Sequence, residues 1–166
     1  MQTSIPCLFM RGGTSRGPFF LEDDLPTDVE TRDRVLLAVM GSPDRRQIDG
    51  LGGAHPLTSK VGIVRRSKTP GVDLDFLFAQ VMVDHAIVDT TPNCGNMLAA
   101  VVPFALETGL LPAQGETTTL RVLTLNTDMQ SDITVQTPDG RISYDGDARI
   151  DGVPGTSAPI LSLIHI

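Results

Sequence analysis

The chain has 166 residues, of which 40% are hydrophobic and 20% charged, and this is enough for one domain with an apolar core. Its formal net charge of −7 argues against wholesale binding to nucleic acid or to an anionic membrane surface. No apolar run approaches a membrane span and no secretory signal pattern opens the chain, so we expect a cytoplasmic protein without nucleic-acid or membrane partners.

The N-terminal part predicts a strand, a loop, a second strand and a helix. Residues 5–10 and 19–21 are short apolar segments, and residues 11–17 between them predict a glycine-rich polar loop. A capping box begins at Thr27, which we expect to be the N-cap of a helix. Apolar residues then recur at helical spacing until Gly41, which predicts an amphipathic surface helix of about three turns.

The middle of the chain predicts two more strands and a buried helix. Residues 60–65 and 73–83 follow a second glycine-rich loop, and the aromatic residues of the longer segment alternate onto one face. Residues 94–108 are apolar on almost every side, which indicates a buried helix. Pro103 within this segment predicts a kink or a late start of its regular part.

The C-terminal part predicts three further strands at residues 120–125, 133–137 and 141–144, with a hairpin turn at residues 137–140. One buried helix, one surface helix and about eight strands together favour an α+β class. We expect a mixed β-sheet wrapped around the central hydrophobic helix.

Cys94 lies where a polar loop becomes the buried helix. The first N–H groups of a helix lack internal partners and carry partial positive charge, so a thiolate at this position is stabilised. Gly95 leaves room for a substrate to reach these amides, and Asn93 and Asn96 can donate to a carboxylate. A buried structural cysteine beside an asparagine cap explains the same residues, and the spacing alone does not decide between the two.

Lys60 begins an apolar strand directly after Ser59 and the second glycine-rich loop. A lysine acts as a general base only when burial or neighbouring cations keep its amine neutral. Taken alone, the sequence favours an ordinary strand-end lysine whose amine reaches solvent.

The first glycine-rich loop offers Arg11, Thr14, Ser15 and Arg16, with exposed backbone amides between them. Two guanidinium groups and two hydroxyls form a plausible carboxylate cradle. The segment lacks the Gly-Lys-Ser/Thr ending of a phosphate-binding loop and does not match the dinucleotide pattern. A tight turn with solvated arginines is the open alternative.

Other candidates carry less weight. His55 could contact an anionic ligand, but a residue without a functional role explains it equally well. Asp84 and His85 lack a third metal ligand at useful spacing, so we expect no metal site. For Cys7 and Cys94, free thiols are the simplest interpretation.

Three segments in this order resemble the PrpF family: RGGTSRG at 11–17, GGAHPLTSKV at 52–61 and PNCGNM at 92–97. DGVPGT at 151–156 is similar to a further family segment, so the resemblance covers nearly the whole chain. It implies a diaminopimelate-epimerase-like fold, in which two similar domains each wrap a sheet around a central helix and share an active site. We therefore expect residues 1–160 to be the N-terminal domain and the second domain to be missing from the chain. Residues 161–166 are expected to be an artificial tail, although a genuine last strand is the alternative.

The resemblance implies a cofactor-free isomerase that moves a proton and a double bond in a small unsaturated tricarboxylate. It favours the branch that tautomerises 4-oxalomesaconate, and it leaves open the 2-methylaconitate, aconitate and methylitaconate isomerases, a two-thiol racemase and an inactive carboxylate-binding fragment. The family's catalytic lysine and helix-start cysteine match Lys60 and Cys94. Residues expected to hold the substrate are Arg11, Thr14, Ser15, Arg16, Ser59, Asn93, Gly95 and Asn96. Arg16 stands where the family loop often has lysine, which alters the geometry of anion contact. A homodimer is expected for the full-length enzyme.

Overall fold

The computed structural model describes residues 3–165, and eight strands within this range form one mixed sheet. The strands are β1 Leu8–Gly12, β2 Ser15–Leu21, β3 Lys60–Arg66, β4 Leu74–Val81, β5 Val88–Asp89, β6 Thr117–Thr124, β7 Met129–Gln136 and β8 Leu161–His165. The helices are α1 Val29–Met40, α2 Gly95–Leu98 and α3 Val101–Glu107. Among the described residues, none of these helices has the length and apolar character needed to cross a bilayer.

The sheet follows the order β1-β2-β3-β4-β6-β7-β8, and the short β5 pairs with β4. The pairs β2–β3 and β4–β6 are parallel, and the other neighbours are antiparallel. The two parallel pairs divide the sheet into consecutive antiparallel units. Tight turns can link antiparallel strands, whereas parallel neighbours need longer connections.

The sheet separates two apolar cores. Helices α2 and α3 pack on one face against Phe19, Phe76 and Phe78, which form the larger core. Helix α1 packs on the other face, where Leu36 and Met40 are buried. The predicted α+β class, with a mixed sheet around a central apolar helix and a second helix on the surface, is therefore confirmed.

The central helix is broken into two pieces. Helix α2 covers one turn, and α3 begins at Val101, so that Pro103 lies in its first turn. A proline is tolerated there because the first N–H groups of a helix have no internal acceptor. The predicted late start of the regular helix is confirmed.

The predicted start of α1 is wrong by one residue. Asp28, not Thr27, is the N-cap, and its carboxylate accepts a hydrogen bond of 2.9 Å from the Thr31 N–H. Both side chains can cap a helix, but a carboxylate also interacts favourably with the positive end of the helix dipole. The predicted end is confirmed, because Gly41 adopts a left-handed conformation with φ of 78°.

The C-terminal strands differ from the prediction. Residues 141–144 form no strand, and residues 138–140 form a short 3-10 turn rather than the centre of a hairpin. The Ser143 N–H donates to the Gln136 carbonyl, but no regular ladder with β7 develops. The edge of β7 is instead paired with β8.

Strand β8 is formed by the segment expected to be an artificial tail. All five of its residues are exposed, including Leu161 and Leu163. Pairing at a sheet edge does not depend on where a segment comes from, so the assignment of residues 161–166 as a tail stays a prediction. Ile166, its last residue, lies outside the described residues.

Candidate active site

The first glycine-rich segment is a tight β-hairpin rather than a loop. Arg11 pairs with Arg16 and Gly12 pairs with Ser15, so that only Gly13 and Thr14 lie outside the strands. Gly13 has φ of 52°, a left-handed conformation that favours glycine at such a turn. Strand pairing across RGGTSRG therefore fixes the side chains of this segment on alternating faces.

The hairpin packs directly on the start of the central helix. The Asn96 Nδ2 donates to the Thr14 Oγ1 at 2.8 Å and approaches the Ser15 Oγ at 3.5 Å. A Cβ at Gly12 would collide with the Asn96 carbonyl oxygen, and one at Gly13 would collide with the Asn96 side chain. The two glycines allow this close approach, which brings two predicted segments together.

This contact yields a first mutational prediction. Gly12→Ala is expected to destabilise the domain by about 1–3 kcal/mol, the usual range for overpacking, because the obstructing atom is backbone and cannot rotate away. Thermal unfolding followed by circular dichroism measures the loss. Gly71→Ala is the control, since nothing lies within 4 Å of its added Cβ and only its φ of 77° opposes the change. Equal losses in the two variants would contradict the proposed close contact.

Lys60 and Cys94 form a buried pair between β3 and the central helix. The Lys60 Nζ donates a hydrogen bond to the Cys94 Sγ at 3.3 Å. Lys60 is 9% exposed and Cys94 is 8% exposed. The alternative of a strand-end lysine that reaches solvent is therefore wrong for Lys60. The lysine is held in the interior beside a thiol.

Two neighbours fix the position of Lys60. Its Nζ lies 5.2 Å from the centre of the Phe78 ring, which gives any ammonium form a cation–π contact. Gly17 of β2 leaves room for the Lys60 carbonyl, which a Cβ at that position would strike. The sequence places Phe78 in the apolar face of β4 but gives no sign that this ring would lie beside the lysine.

The start of the central helix is open to solvent on one side. Cys94 is the N-cap of α2 and its N–H is bound by the Asn93 Oδ1 at 2.7 Å. The N–H groups of Gly95 and Asn96 have no hydrogen-bond partner among residues 3–165. Gly95 is exposed, and a Cβ built on it would meet nothing within 4 Å. An anion can therefore approach these amides from the Gly95 side.

Ser59 directly precedes β3, and its side chain lies on the other side of the sheet from this pair. It is fully buried, its Oγ accepts from the Gln47 Nε2 at 2.7 Å, and it donates to the Val81 carbonyl at 2.7 Å. Val81 belongs to the core on the α1 face, whereas Lys60 contacts residues of the other core. The Ser59 side chain thus stabilises the loop through the buried Gln47, a residue that the sequence did not single out.

Arg11 and Arg16 also lie on the other face of the sheet. They are directly opposite in the β1–β2 pair, one residue out of phase with Gly12 and Ser15, which face the central helix. The Arg11 Nη1 donates to the Gly13 carbonyl at 2.8 Å, and the Arg16 guanidinium stacks 5.5 Å from the centre of the Phe9 ring. The structure therefore brings Thr14, Ser15, Asn93, Gly95 and Asn96 close to the Lys60–Cys94 pair but not the two arginines.

A cavity of about 350 Å³ adjoins the hairpin and the central helix. It is lined by Arg11, Gly12, Gly13 and Asn96 on one side and by residues 153–160 on the other, and neither Lys60 nor Cys94 lines it. Gly152 of the fourth resembling segment lies beside Thr14, since a Cβ on it would be 3.4 Å from the Thr14 methyl group. All four segments quoted for the resemblance thus meet around one end of the central helix.

The weaker candidates stay apart from this site. Cys7 and Cys94 are both free and belong to opposite cores, as the sequence predicted for the thiols. His55 is exposed and its Nδ1 accepts from the Leu57 N–H, which caps a short turn. Asp84 and His85 form an exposed pair, and the described residues contain no cluster of three or more potential metal ligands.

A mixed sheet around a central apolar helix, with Cys94 at the start of that helix, defines an α+β class of domain. The model of the family described as PrpF protein matches residues 2–165, and the chain belongs to this family.

Relatives with known names agree with this assignment. The chain is 59% identical over 157 residues to the (4E)-oxalomesaconate Δ-isomerase of Novosphingobium sp., covering 95% of this chain and 44% of that protein. It is 59% identical over 160 residues to the 4-oxalomesaconate tautomerase of Pseudomonas putida, covering 96% and 44%. The chain thus spans less than half the length of these relatives.

A solved structure shows the same fold. The crystal structure of a methylitaconate Δ-isomerase matches with a TM-score of 0.92 and 48% sequence identity, over 95% of this chain and 41% of that one. This close match confirms the fold class that the sequence predicted.

Proposed function

We propose that the full-length protein carrying this chain is a cofactor-independent tautomerase of a small unsaturated tricarboxylate, with 4-oxalomesaconate as substrate. The observation that supports this most strongly is the buried Lys60–Cys94 pair, whose Nζ and Sγ lie 3.3 Å apart at an open helix start. The two oxalomesaconate-related enzymes, each 59% identical to this chain, support the choice of substrate.

Lys60 is the proposed general base. In 4-oxalomesaconate, a C–H bond is acidified by the neighbouring keto group and by a conjugated carboxylate, so its removal gives a delocalised dienolate. Reprotonation on oxygen gives the enol, and in the related allylic isomerases it occurs at the far carbon. The neutral form of the amine is the one that accepts a proton, and the contact with the Cys94 Sγ holds this amine at the helix start. Because the substrate delocalises its own charge, the proposal needs neither a metal nor an organic cofactor.

Cys94 is the proposed acid/base partner of Lys60. The hydrogen bond between them lets a proton pass to or from the lysine without crossing solvent. Thr14, Ser15, Asn93, Gly95 and Asn96 are proposed to hold the substrate carboxylates around this pair. Ser59 is left out, since its hydroxyl is engaged in the interior. Arg11 and Arg16 are proposed to attract the anion at longer range from the same hairpin.

Gly95 offers a test that separates binding from folding. Gly95→Ala is expected to leave stability almost unchanged, because its Cβ would meet no atom within 4 Å. The same methyl group would cover the approach to the amides at the helix start, so KM for the tricarboxylate should rise. Steady-state kinetics with a parallel thermal melt is the measurement. An unchanged KM would remove Gly95 from the proposed binding set.

The substrate is tested directly by absorbance. 4-Oxalomesaconate, 2-methylaconitate and methylitaconate are offered to the full-length protein, since relatives named for methylitaconate and 2-methylaconitate isomerisation are 48% and 39% identical to this chain. Tautomerisation of 4-oxalomesaconate alone supports the proposal, whereas turnover of an allylic substrate in its place favours the second function. Binding of all three without turnover of any would indicate a carboxylate-binding protein.

The remaining parts of the proposal concern the whole protein. We propose that residues 1–160 supply one wall of the site and that a second domain supplies the other, as the resemblance implies. A cytoplasmic location, a homodimer and the lack of a nucleic-acid partner stay predictions.

A further inference from the structure

The Lys60–Cys94 pair combines a nucleophilic nitrogen and an oxidisable sulfur at 3.3 Å, within the usual separation of reacting atoms before bond formation. We propose that hydrogen peroxide converts this pair into a reversible sulfenamide, a direct bond between the Cys94 Sγ and the Lys60 Nζ. Nothing in the proposed tautomerisation requires this reaction, so it is a separate property of the same two residues.

The chemistry balances in two steps with one peroxide. In the first, the Cys94 sulfur attacks a peroxide oxygen, an S–O bond forms, the O–O bond breaks and water leaves, which gives the sulfenic acid. In the second, the neutral amine of Lys60 attacks that sulfur, an S–N bond forms, the S–O bond breaks and the oxygen leaves as a second water. One thiol, one amine and one peroxide thus give one sulfenamide and two waters, and the sulfur is oxidised as the peroxide is reduced.

The structure favours the amine as the group that captures the sulfenic acid. A sulfenic acid commonly condenses with a second thiol, but Cys7 lies in the core on the opposite face of the sheet. Both cysteines are free in the described part of the chain. The Lys60 Nζ is already in contact with the sulfur, so the second step needs only a short movement of a flexible side chain.

Reactivity favours Cys94 over Cys7, whereas exposure does not, since Cys7 is half-buried and Cys94 is buried. The exposed Gly95 and Asn93 flank Cys94, nothing lies within 4 Å of the Cβ position of Gly95, and Cys94 itself is 8% exposed, so this is the side from which a small oxidant approaches. Burial raises the pKa of the Cys7 thiol, which keeps that sulfur in its less nucleophilic protonated form. Selectivity for Cys94 then rests on the contact of its sulfur with the Lys60 Nζ, which lets oxidation of this thiol lead to the link.

The sulfenamide would remove the proposed base and its proton partner together. Turnover should fall in proportion to the fraction of linked protein and return when a thiol reductant breaks the S–N bond. This loss of turnover rests on the proposed function, whereas formation of the bond does not.

Mass spectrometry tests the proposal on the full-length protein treated with hydrogen peroxide. The expected product has lost two hydrogen atoms and gained no oxygen. After trypsin it should contain one pair of peptides joined through Lys60 and Cys94, without cleavage after Lys60, and dithiothreitol should separate them. A wild-type product that carries only oxygen on Cys94, or no modification there, would overturn the proposal.

Two variants complete the test. Cys7→Ser should form the same link, because its sulfur takes no part. Lys60→Arg, checked for folding by circular dichroism, should form none and should accumulate oxygen on Cys94, since a guanidinium is a poor nucleophile. Loss of two hydrogens that persists in Lys60→Arg would assign the bond to a backbone nitrogen and overturn the lysine link. A lysine link that leaves turnover unchanged would instead contradict the proposed function of Lys60.

Discussion

Replacing Lys60 by alanine is expected to lower kcat by at least about 100-fold, the usual scale for loss of a general base. Lys60 is 9% exposed and its amine is hydrogen-bonded to Cys94, so water is a poor substitute for this base once the side chain is gone. KM should change less, because the residues proposed to hold the carboxylates remain. The rate is measured by absorbance with 4-oxalomesaconate in the full-length protein.

Two controls make this prediction specific. A small primary amine added to Lys60→Ala should restore part of the lost rate, which a merely structural lysine would not allow. Arg121→Ala is the matched cation control, since it removes a charge from β6 that pairs with Asp132 on β7. Near-normal turnover of Lys60→Ala would end the assignment of this lysine as the base.

Replacing Arg65 by methionine should cause the largest loss of stability, about 2 kcal/mol, which is below the loss typical of a fully buried ion pair because the Arg65 side chain is 38% exposed. The Arg65 Nε donates to the Asp75 Oδ2 at 2.8 Å, and the Arg65 Nη1 contacts Glu22 at 2.9 Å. The Asp75 side chain is only 4% exposed, and its Oδ1 has no hydrogen-bond partner among the described residues. Without Arg65, a buried carboxylate is left uncompensated. Denaturant unfolding at neutral pH measures the loss.

Two control variants test the prediction for Arg65, one that removes the charge of its partner and one that breaks a more exposed ion pair. The double variant Arg65→Met/Asp75→Asn should recover part of the stability, because no buried charge remains unpaired. Arg121→Met should cost less, since its partner Asp132 is 23% exposed. The hydrogen bond from Arg121 lowers the pKa of Asp132 to about 2, so the contribution of that pair is present at neutral pH and is lost as the pH falls towards 2. A loss for Arg65→Met no greater than for Arg121→Met would contradict the proposed burial effect.

Local patterns predict the elements of this fold better than their boundaries. The apolar run around Met97 and Phe104 predicts the central helix, because only burial accommodates such a segment. The choice of Asp28 over Thr27 as N-cap is not predictable in this way, since both side chains can cap and the outcome depends on tertiary packing. The absence of a strand at residues 141–144 has the same origin, because β8 pairs with the edge of β7.

The active site, like the fold, is only partly predictable from the sequence. A cysteine at a helix start and a lysine at a strand start are visible in the sequence, but only the fold shows that Cys94 and Lys60 touch. Strand register decides on which face of the sheet the side chains of Ser59 and the two arginines lie. A shift of the register by one residue moves a side chain to the other face. The sequence therefore predicts which segments meet, whereas the pairing of the strands decides which side chains do.

The most direct test of whether Lys60 is the base is hydrogen exchange in deuterium oxide. Proton NMR follows the signal of the acidic C–H of 4-oxalomesaconate. With the full-length protein we expect that signal to be lost well above the rate without enzyme, because the base returns deuterium from solvent to the carbon. With Lys60→Ala the rate should fall to the background. Exchange and tautomerisation by Lys60→Ala at the wild-type rate would contradict the account.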